Sequence, residues 1–478
     1  MMAALRDDAE AIWQAGIRAV HPERLIASRL RIDDGQLLCD GRPLDPPLLL
    51  CPGRRLVAVG GGKAAAGMAA GLEQLIPAGH ALEGLIGVPV GCGRALPRLE
   101  VREVRPAGRN EPTEACVAAT KQMLAMLGQL ASDDLALALI TGGGSAILTA
   151  PQPGIPLSEL VATTRWLSEH GADISQLNRV RQAVSLVKAG GLARSCRGGR
   201  LVVLVISDVI GDPLATISSG PCMPVAATAS EALAILEQFD VVAAGVAPAI
   251  AAHLKRAAAS HSAVPPAAAL PSGRWQTPAG CEVSHHLLGS NATALEAAAA
   301  EAASRGYLVH RRHADPAARE TANGVGQRLA AEGLAAARGA SRQRIAIIEG
   351  GEALVSLPEK HGLGGRNQQT VAAALAWLQE RPPWPSGLLI ASVGTDGEDG
   401  PTSAAGGVAD ATVARAIAHA GLWVSEAVRC CDAFPLLKDA GGLIQTGPTG
   451  TNVADLRILL IDPSQARTTP QESTAQPD

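Results

Sequence analysis

Four short stretches of the chain bring together residue types that could do chemistry. The most charged is 394–401, GTDGEDGP, in which Asp396, Glu398 and Asp399 fall within four positions. Carboxylates that close repel one another, so water, a cation or basic groups must offset them. An acidic, glycine-rich loop of oxygen donors suits magnesium, which is usually held by one or two carboxylates plus substrate phosphates. A solvated acidic turn is the alternative. The second and third stretches are glycine triplets: Gly60, Gly61 and Gly62 followed by Lys63, and Gly142, Gly143 and Gly144 followed by Ser145. Backbone N–H groups at such a turn, opening a helix, favour an anion, as does the helix dipole. A lysine in that place is disfavoured unless an anion accompanies it, and a merely tight strand–helix turn is the other reading. The fourth stretch is GLGGRNQQ at 362–369, where Arg366 suits bidentate contact with phosphate or carboxylate. A surface cap is its alternative. Asp208 and Asp212, flanking Gly211, are candidate metal or hydroxyl partners, or simple turn residues. Arg179, Arg181 and Lys188 could face a ligand or form a solvated basic helix face.

Each group sits where a strand gives way to a helix. Apolar runs near 55–59, 135–140, 201–205, 345–348 and 388–393 read as buried strands. The last of these reads as a parallel strand, whose carboxyl-end loop is where open α/β sheets bind ligands. Ala-rich helices follow most of them. Residues 6–20 read as an amphipathic helix ended by Pro22, and 103–115 as a loop entering a helix near Glu114. The stretch 251–280 shifts to Ala, Pro and Ser and reads as a loose inter-domain segment. The expected organisation is therefore an N-terminal α/β domain over 1–250, a linker over 251–280, a C-terminal α/β domain over 281–462 and a disordered tail over 463–478.

The totals narrow the class. A chain of 478 residues with 47% apolar content supports two domains. Aromatics are 2%, so Ala, Val and Leu must fill the cores. A net charge of −4 gives no sign of a nucleic-acid or anionic-membrane partner. No apolar run reaches the roughly 18 residues of a membrane span. The acidic start MMAALRDDAEAIW does not read as a secretory signal. Nine cysteines without Cys-x-x-Cys spacing read as reduced thiols of a cytoplasmic protein.

Taken in order, VGGGKAAAGMA, LITGGGSAIL, LNxVR…KxGGLA, ISDVIGDP…SSGP, GGRNQQ, SVGTDGEDGPTSAAGGV and TGPTGTNVADL resemble the glycerate 2-kinase family, whose C-terminal part is called MOFRL. These motifs span roughly residues 59–456. The resemblance implies an ATP-dependent, magnesium-using kinase that phosphorylates the 2-hydroxyl of D-glycerate. It implies a Rossmann-like three-layer N-terminal domain and a MOFRL-type C-terminal domain, with the active site in the cleft. By position, Lys63 and Arg366 correspond to the family's basic pair, and Asp208 and Asp396 to its acidic site residues. Gly60, Gly61, Gly62, Gly142, Gly143, Gly144 and Ser145 would line the nucleotide phosphates, and Asp208, Asp396 and Glu398 would hold the metal. The expected partner is a glycerate-like 2-hydroxy acid, with a homo-oligomer left open. The chain departs from the family's GHPVPDE-like run at 108–114, where Arg109 replaces a histidine. It departs again from VRKHLS at 180–185, which here reads VRQAVS. Both changes leave open a 2-hydroxy acid other than glycerate.

Two rivals share these features. An NAD(P)H-dependent hydroxypyruvate reductase would use the glycine loops for a dinucleotide. The 60–63 loop, however, fits neither GxxxxGK[ST] nor GxGxxG, since its third glycine is displaced to Gly67. Glu83 lies near the distance of the ribose-binding acid but precedes the next apolar run instead of ending it. A relative that binds nucleotide or hydroxy acid without turnover is the non-enzyme alternative.

Overall fold

Two glycine-bearing turns, Asp34–Gly35 and Asp40–Gly41, adopt positive φ and fold β1 (Leu30–Asp33), β2 (Gln36–Cys39) and β3 (Arg42–Leu49) into a small antiparallel sheet. Paired left-handed residues match the twist of a hairpin, which is why Asp-Gly dominates such turns. The computed structural model describes residues 2–107, 111–226, 228–260, 268–339, 342–385 and 387–464. Arg109 and the tail beyond residue 464 lie outside them.

The chain forms two compact units, one of His21–Ser290 and the other of Met1–Val20 with Asn291–Asp478. In the first, eight strands make one sheet: β4 (Arg55–Gly61), β5 (Ala81–Pro89), β6 (Leu99–Arg105), β7 (Leu135–Thr141), β8 (Arg200–Ile206), β9 (Ala268–Ala269), β10 (Trp275–Gln276) and β11 (Glu282–Gly289). Their order is β6-β5-β4-β7-β8-β11-β10-β9, with β6 through β11 parallel and the last two antiparallel. Counted along the chain, the six parallel strands run 3-2-1-4-5-6, the doubly wound order of dinucleotide-binding folds. The direction of winding reverses between β4 and β7. Val57, Val59, Ala136, Ala138 and Val203 on one face form a core with Cys116, Ala119 and Met123 of the helix Glu114–Gly128. The helix Ala65–Leu75 packs across the same sheet, outside that core. A separate cluster of helices, Leu157–Glu169, Ile174–Ala183, Ala229–Gln238 and Pro248–Ala259, shares Leu160, Val180, Leu236 and Ile250.

These elements correct the expected boundaries. The stretch 251–280 is not a linker where it is described: Pro248–Ala259 continues the helical cluster, and β9 and β10 extend the sheet. Trp275 is buried in the main core and donates to the carbonyl of Cys222 at 3.1 Å. Strand β11, expected to open the C-terminal domain, pairs in parallel with β8, so the first unit runs to Ser290. Likewise 103–105 is no loop but the end of β6. A seven-residue strand hidden in a polar sequence, LEVREVR, shows no apolar run for a reader to find.

The second unit holds β12 (Leu308–Arg312), β13 (Ile345–Gly351), β14 (Leu388–Gly394), β15 (Gly406–Ala409), β16 (Leu443–Ile444) and β17 (Asp455–Ile461), ordered β12-β13-β17-β14-β15-β16. Only β12 and β13 are parallel; β14, expected to be a parallel strand, is antiparallel to both β17 and β15. Helices cover both faces of the strand, so its seven residues are all buried, and full burial erases the alternation that would betray direction. The helix Met2–Ala19 belongs to this unit, held by Arg6 to Asp410 (2.5 Å) and by Asp8 to Arg305 and Tyr307 (both 2.8 Å). Its Gly16 lies against Leu456 and the carbonyl of Ala294, too close for a side chain. Among the described residues no helix is long and apolar enough to cross a membrane.

Candidate functional site

At the reversal point of the first unit, the loops after β4 and β7 touch. Lys63 N–H donates to the carbonyl of Gly142 at 2.9 Å, and Ala64 N–H to Thr141 Oγ1 at 3.3 Å. This approach requires glycine. A methyl on Gly60 would meet the Leu139 carbonyl oxygen at 2.1 Å, and one on Gly62 would meet Thr141 Oγ1 at 2.0 Å. Both have positive φ. The consequence corrects the reading of Gly60, Gly61 and Gly62 as phosphate ligands. The amides of Gly62, Lys63, Ala64 and Ala65 are committed to Gly87, Gly142, Thr141 and Gly62 respectively, leaving none of the four for an anion. The first triplet builds the junction and places Lys63 at its edge.

The second triplet does the opposite. Gly143 caps the short helix Gly144–Ile147 in the left-handed region without a side-chain bond, and the amides of Gly144, Ser145 and Ala146 have no acceptor among the described residues. Asp208, beyond the end of β8, packs directly on Gly142, where an added methyl would lie 2.3 Å from Oδ2. A methyl on Gly143 would lie 3.6 Å from Lys63 Cγ and 3.9 Å from an Arg105 Nη. Lys63, Gly142, Gly143 and Asp208 are thus brought together, joined by a residue sequence reasoning passed over, the buried Arg105 at the carboxyl end of β6. An arginine closing a parallel strand was the signal available.

A third wall comes from 218–220, where Ser218, Ser219 and Gly220 are all left-handed. Non-glycine residues there cost of order 1 kcal/mol or more and persist only when their surroundings over-determine them. Here Ser218 Oγ donates to the Thr141 carbonyl (2.9 Å), Ser219 Oγ to Asn178 Oδ1 (3.1 Å), and Ser145 Oγ lies 3.0 Å from Ser219 Oγ. Gln182 Nε2 reaches the Ser219 carbonyl at 3.3 Å. Lys188, 2% exposed, donates from Nζ to the carbonyls of Ser145 (2.7 Å) and Leu148 (3.3 Å). Burial, with Arg181 nearby, lowers its pKa to about 7. Arg179, by contrast, faces outward to the Ala226 carbonyl and Glu231.

In the second unit Arg366 opens the helix Arg366–Gln379. It is not a cap: its Nε and Nη2 grip Asp455 at 2.7 and 2.9 Å, and Nη1 meets Glu352 at 2.8 Å. Burial alone would lower its pKa, but Asp455 and Glu352 more than offset that and raise it. The cap is Asp399, whose Oδ1 accepts from Asn367 N–H (3.0 Å) and Oδ2 from Gln368 N–H (2.8 Å). Asp399 therefore answers to the helix N-terminus, not to a cation. Burial nevertheless pushes its pKa up to about 6 against the pull of those amides. Asp396 turns the loop by accepting from Glu398 N–H at 3.0 Å. Burial first, then Asp455 and Asp396, raise the pKa of Glu352 over the opposing effect of Arg366. Among the described residues no three His, Cys, Asp or Glu side chains form a ready metal cluster. Asp455 and Glu352 were visible in the sequence only as an aspartate opening a strand and a glutamate closing one.

The dinucleotide fingerprint fails in the structure too. Gly67 serves helix packing, its missing Cβ standing 2.4 Å from Pro22 Cγ. Glu83 lies near the start of β5, paired with Arg55 at 2.6 Å.

Residues 8–255 match a family described as a domain of unknown function, DUF4147, and residues 345–455 match the MOFRL family. The chain is 30% identical to the glycerate 2-kinase of Pyrococcus horikoshii, over 95% of this chain and 96% of that protein. It is 31% identical to the human glycerate kinase, over 96% of this chain and 94% of that one. The crystal structure of glycerate kinase from Thermotoga maritima superposes with a TM-score of 0.76 at 29% identity, covering 96% of this chain and all of that chain.

Proposed function

Because the chain belongs to the glycerate 2-kinase family, we propose that it transfers the terminal phosphoryl group of ATP to the 2-hydroxyl of D-glycerate or a related small 2-hydroxy acid. The observation that carries the reading is the junction at Gly142, where Lys63, Asp208 and the uncommitted amides after Gly143 converge at the carboxyl edge of a doubly wound sheet. Phosphoryl transfer asks for positioning and charge neutralisation more than covalent chemistry, and these groups supply both. The amides of Gly144, Ser145 and Ala146 orient phosphate oxygens. Lys63 neutralises charge developing on the group in transit. Asp208 takes the proton of the acceptor hydroxyl.

In the second unit, Asp396 and Glu398 lie on one glycine-rich turn and are oxygen donors of the kind magnesium accepts. Two carboxylates suffice for an ion that completes its shell with water and phosphate, so the donor set fits. Magnesium held there would supply positive charge to a phosphate bound at that loop. Arg366 acts by holding Asp455 and Glu352 in place and by keeping one fixed positive charge beside them.

The test is ADP release from ATP and magnesium with a panel of 2-hydroxy acids, followed by phosphorus NMR to locate the phosphate on the product. Lys63→Met is expected to lose on the order of 10²-fold in kcat while its melting temperature stays put. Turnover near that of the unaltered protein would remove Lys63 from the chemistry. Oxidation of NADH by hydroxypyruvate, with no ADP formed from any acid, would overturn the kinase reading.

A further inference from the structure

The helix Ile174–Ala183 turns Asn178, Arg181 and Gln182 to one side, the three-and-four spacing of a single helical face. Asn178 and Gln182 on that face bind Ser219, which in turn meets Ser145. Arg181 between them makes no hydrogen bond or ion pair among the described residues and is half buried. Lys188 stands close enough to repel it, with two carbonyls but no carboxylate as partners. The Nδ2 of Asn178, a donor, also has no acceptor among the described residues. A guanidinium and an amide donor on one helical face, both without an acceptor among the described residues, form an arrangement that an anion would offset. Other arginines of the same unit pair with carboxylates, as Arg55 does with Glu83 and Arg102 with Glu100.

Resting on the kinase reading above, we propose that Arg181 and Lys188, with Asn178, clamp the carboxylate of the 2-hydroxy acid. The acid's hydroxyls would then lie toward Ser145 and Ser219, on the side of the loop whose amides orient the phosphate. A planar guanidinium matches a carboxylate with two parallel bonds, which is why Arg181 leads the pair. The clamp sets the acceptor class, demanding a free acid and tolerating variation at the far end of the molecule.

The experiment compares D-glycerate with its methyl ester as acceptors, in the unaltered protein and in Arg181→Gln and Arg181→Lys. The unaltered protein should prefer the free acid strongly. Arg181→Gln should raise KM for D-glycerate by about 30- to 100-fold, as expected for a lost charge-assisted pair, hold KM for ATP within about twofold, and erase most of the preference for acid over ester. Arg181→Lys should restore part of that preference, which a merely structural loss would not do. A preference unchanged in Arg181→Gln would overturn the clamp, as would a rise confined to KM for ATP, which would assign the cations to a phosphate. Calorimetry of D-glycerate binding without nucleotide separates the two proposals. Binding that depends on Arg181 in a protein that transfers no phosphoryl group would uphold the clamp and sink the kinase; binding indifferent to Arg181 would sink the clamp alone.

Discussion

Arg366, read from the sequence as suited to bidentate contact with a phosphate or carboxylate, makes that contact with a carboxylate of its own unit, and its loss should therefore cost stability. Its Nε and Nη2 hold Asp455, whose side chain is 1% exposed, while the arginine itself is 31% exposed. In Arg366→Ala the carboxylate of Asp455 stays buried with only Asn367 Nδ2, at 3.0 Å, to satisfy it. Removing one partner of a buried pair costs about 3–5 kcal/mol, and the surviving Asn367 bond places this case near the lower figure. The contact with Glu352 adds little, because that side chain is half exposed and an exposed pair is worth at most about 1 kcal/mol. The expected loss is therefore about 3 kcal/mol, or roughly 6–12 °C in the melting temperature of a unit of this size. Urea unfolding followed by circular dichroism would measure it. Arg366→Ala/Asp455→Asn should recover at least about 2 kcal/mol of that loss, since a neutral amide no longer needs the guanidinium. A single variant within about 1 kcal/mol of the unaltered protein, uncoupled to Asp455→Asn, would refute the reasoning.

Three further outcomes follow from the same contacts. Gly67→Ala sets a methyl 2.4 Å from Pro22 Cγ, so the helices Pro22–Arg29 and Ala65–Leu75 must part, and overpacking of this kind should cost about 1–3 kcal/mol in thermal unfolding. Gly142→Ala sets a methyl 2.3 Å from Asp208 Oδ2 and 2.9 Å from its Cβ, so rotation of the side chain cannot relieve the clash alone; turnover should fall at least about tenfold and stability by about 1–3 kcal/mol. Asp399 has a folded pKa raised to about 6, chiefly by burial, from an ordinary 3.8, so its stabilising contribution is complete below about pH 4 and is lost as pH rises through 6. The stability of the unaltered protein relative to Asp399→Asn should accordingly drop by about 2 kcal/mol between pH 4 and 6.5; a difference that rises over that range would reverse the sign of the argument.

How far a sequence discloses such a site depends on whether the deciding contact is local. The alternation of buried strand, glycine turn and Ala-rich helix is local, and it reported the α/β class and the positions of Lys63, Asp208, Arg366 and Asp396 correctly as strand-end or helix-start residues. The direction of β14 is decided by β17, more than sixty residues later, and nothing within SVG or LLIA encodes it. Membership of β11 in the first unit is likewise decided by β8. The two glycine triplets make the point most sharply, since on paper they are one device used twice. In the first, the glycines exist so that strand ends can close on one another, and that closure consumes the amides that glycine loops are expected to offer. In the second, the partner loop takes only the Gly142 carbonyl and leaves the amides of Gly144, Ser145 and Ala146 unclaimed. A glycine-rich turn at a strand's end is therefore only a permission for close approach, and whether a phosphate or another strand accepts it is settled by which strand the fold lays alongside.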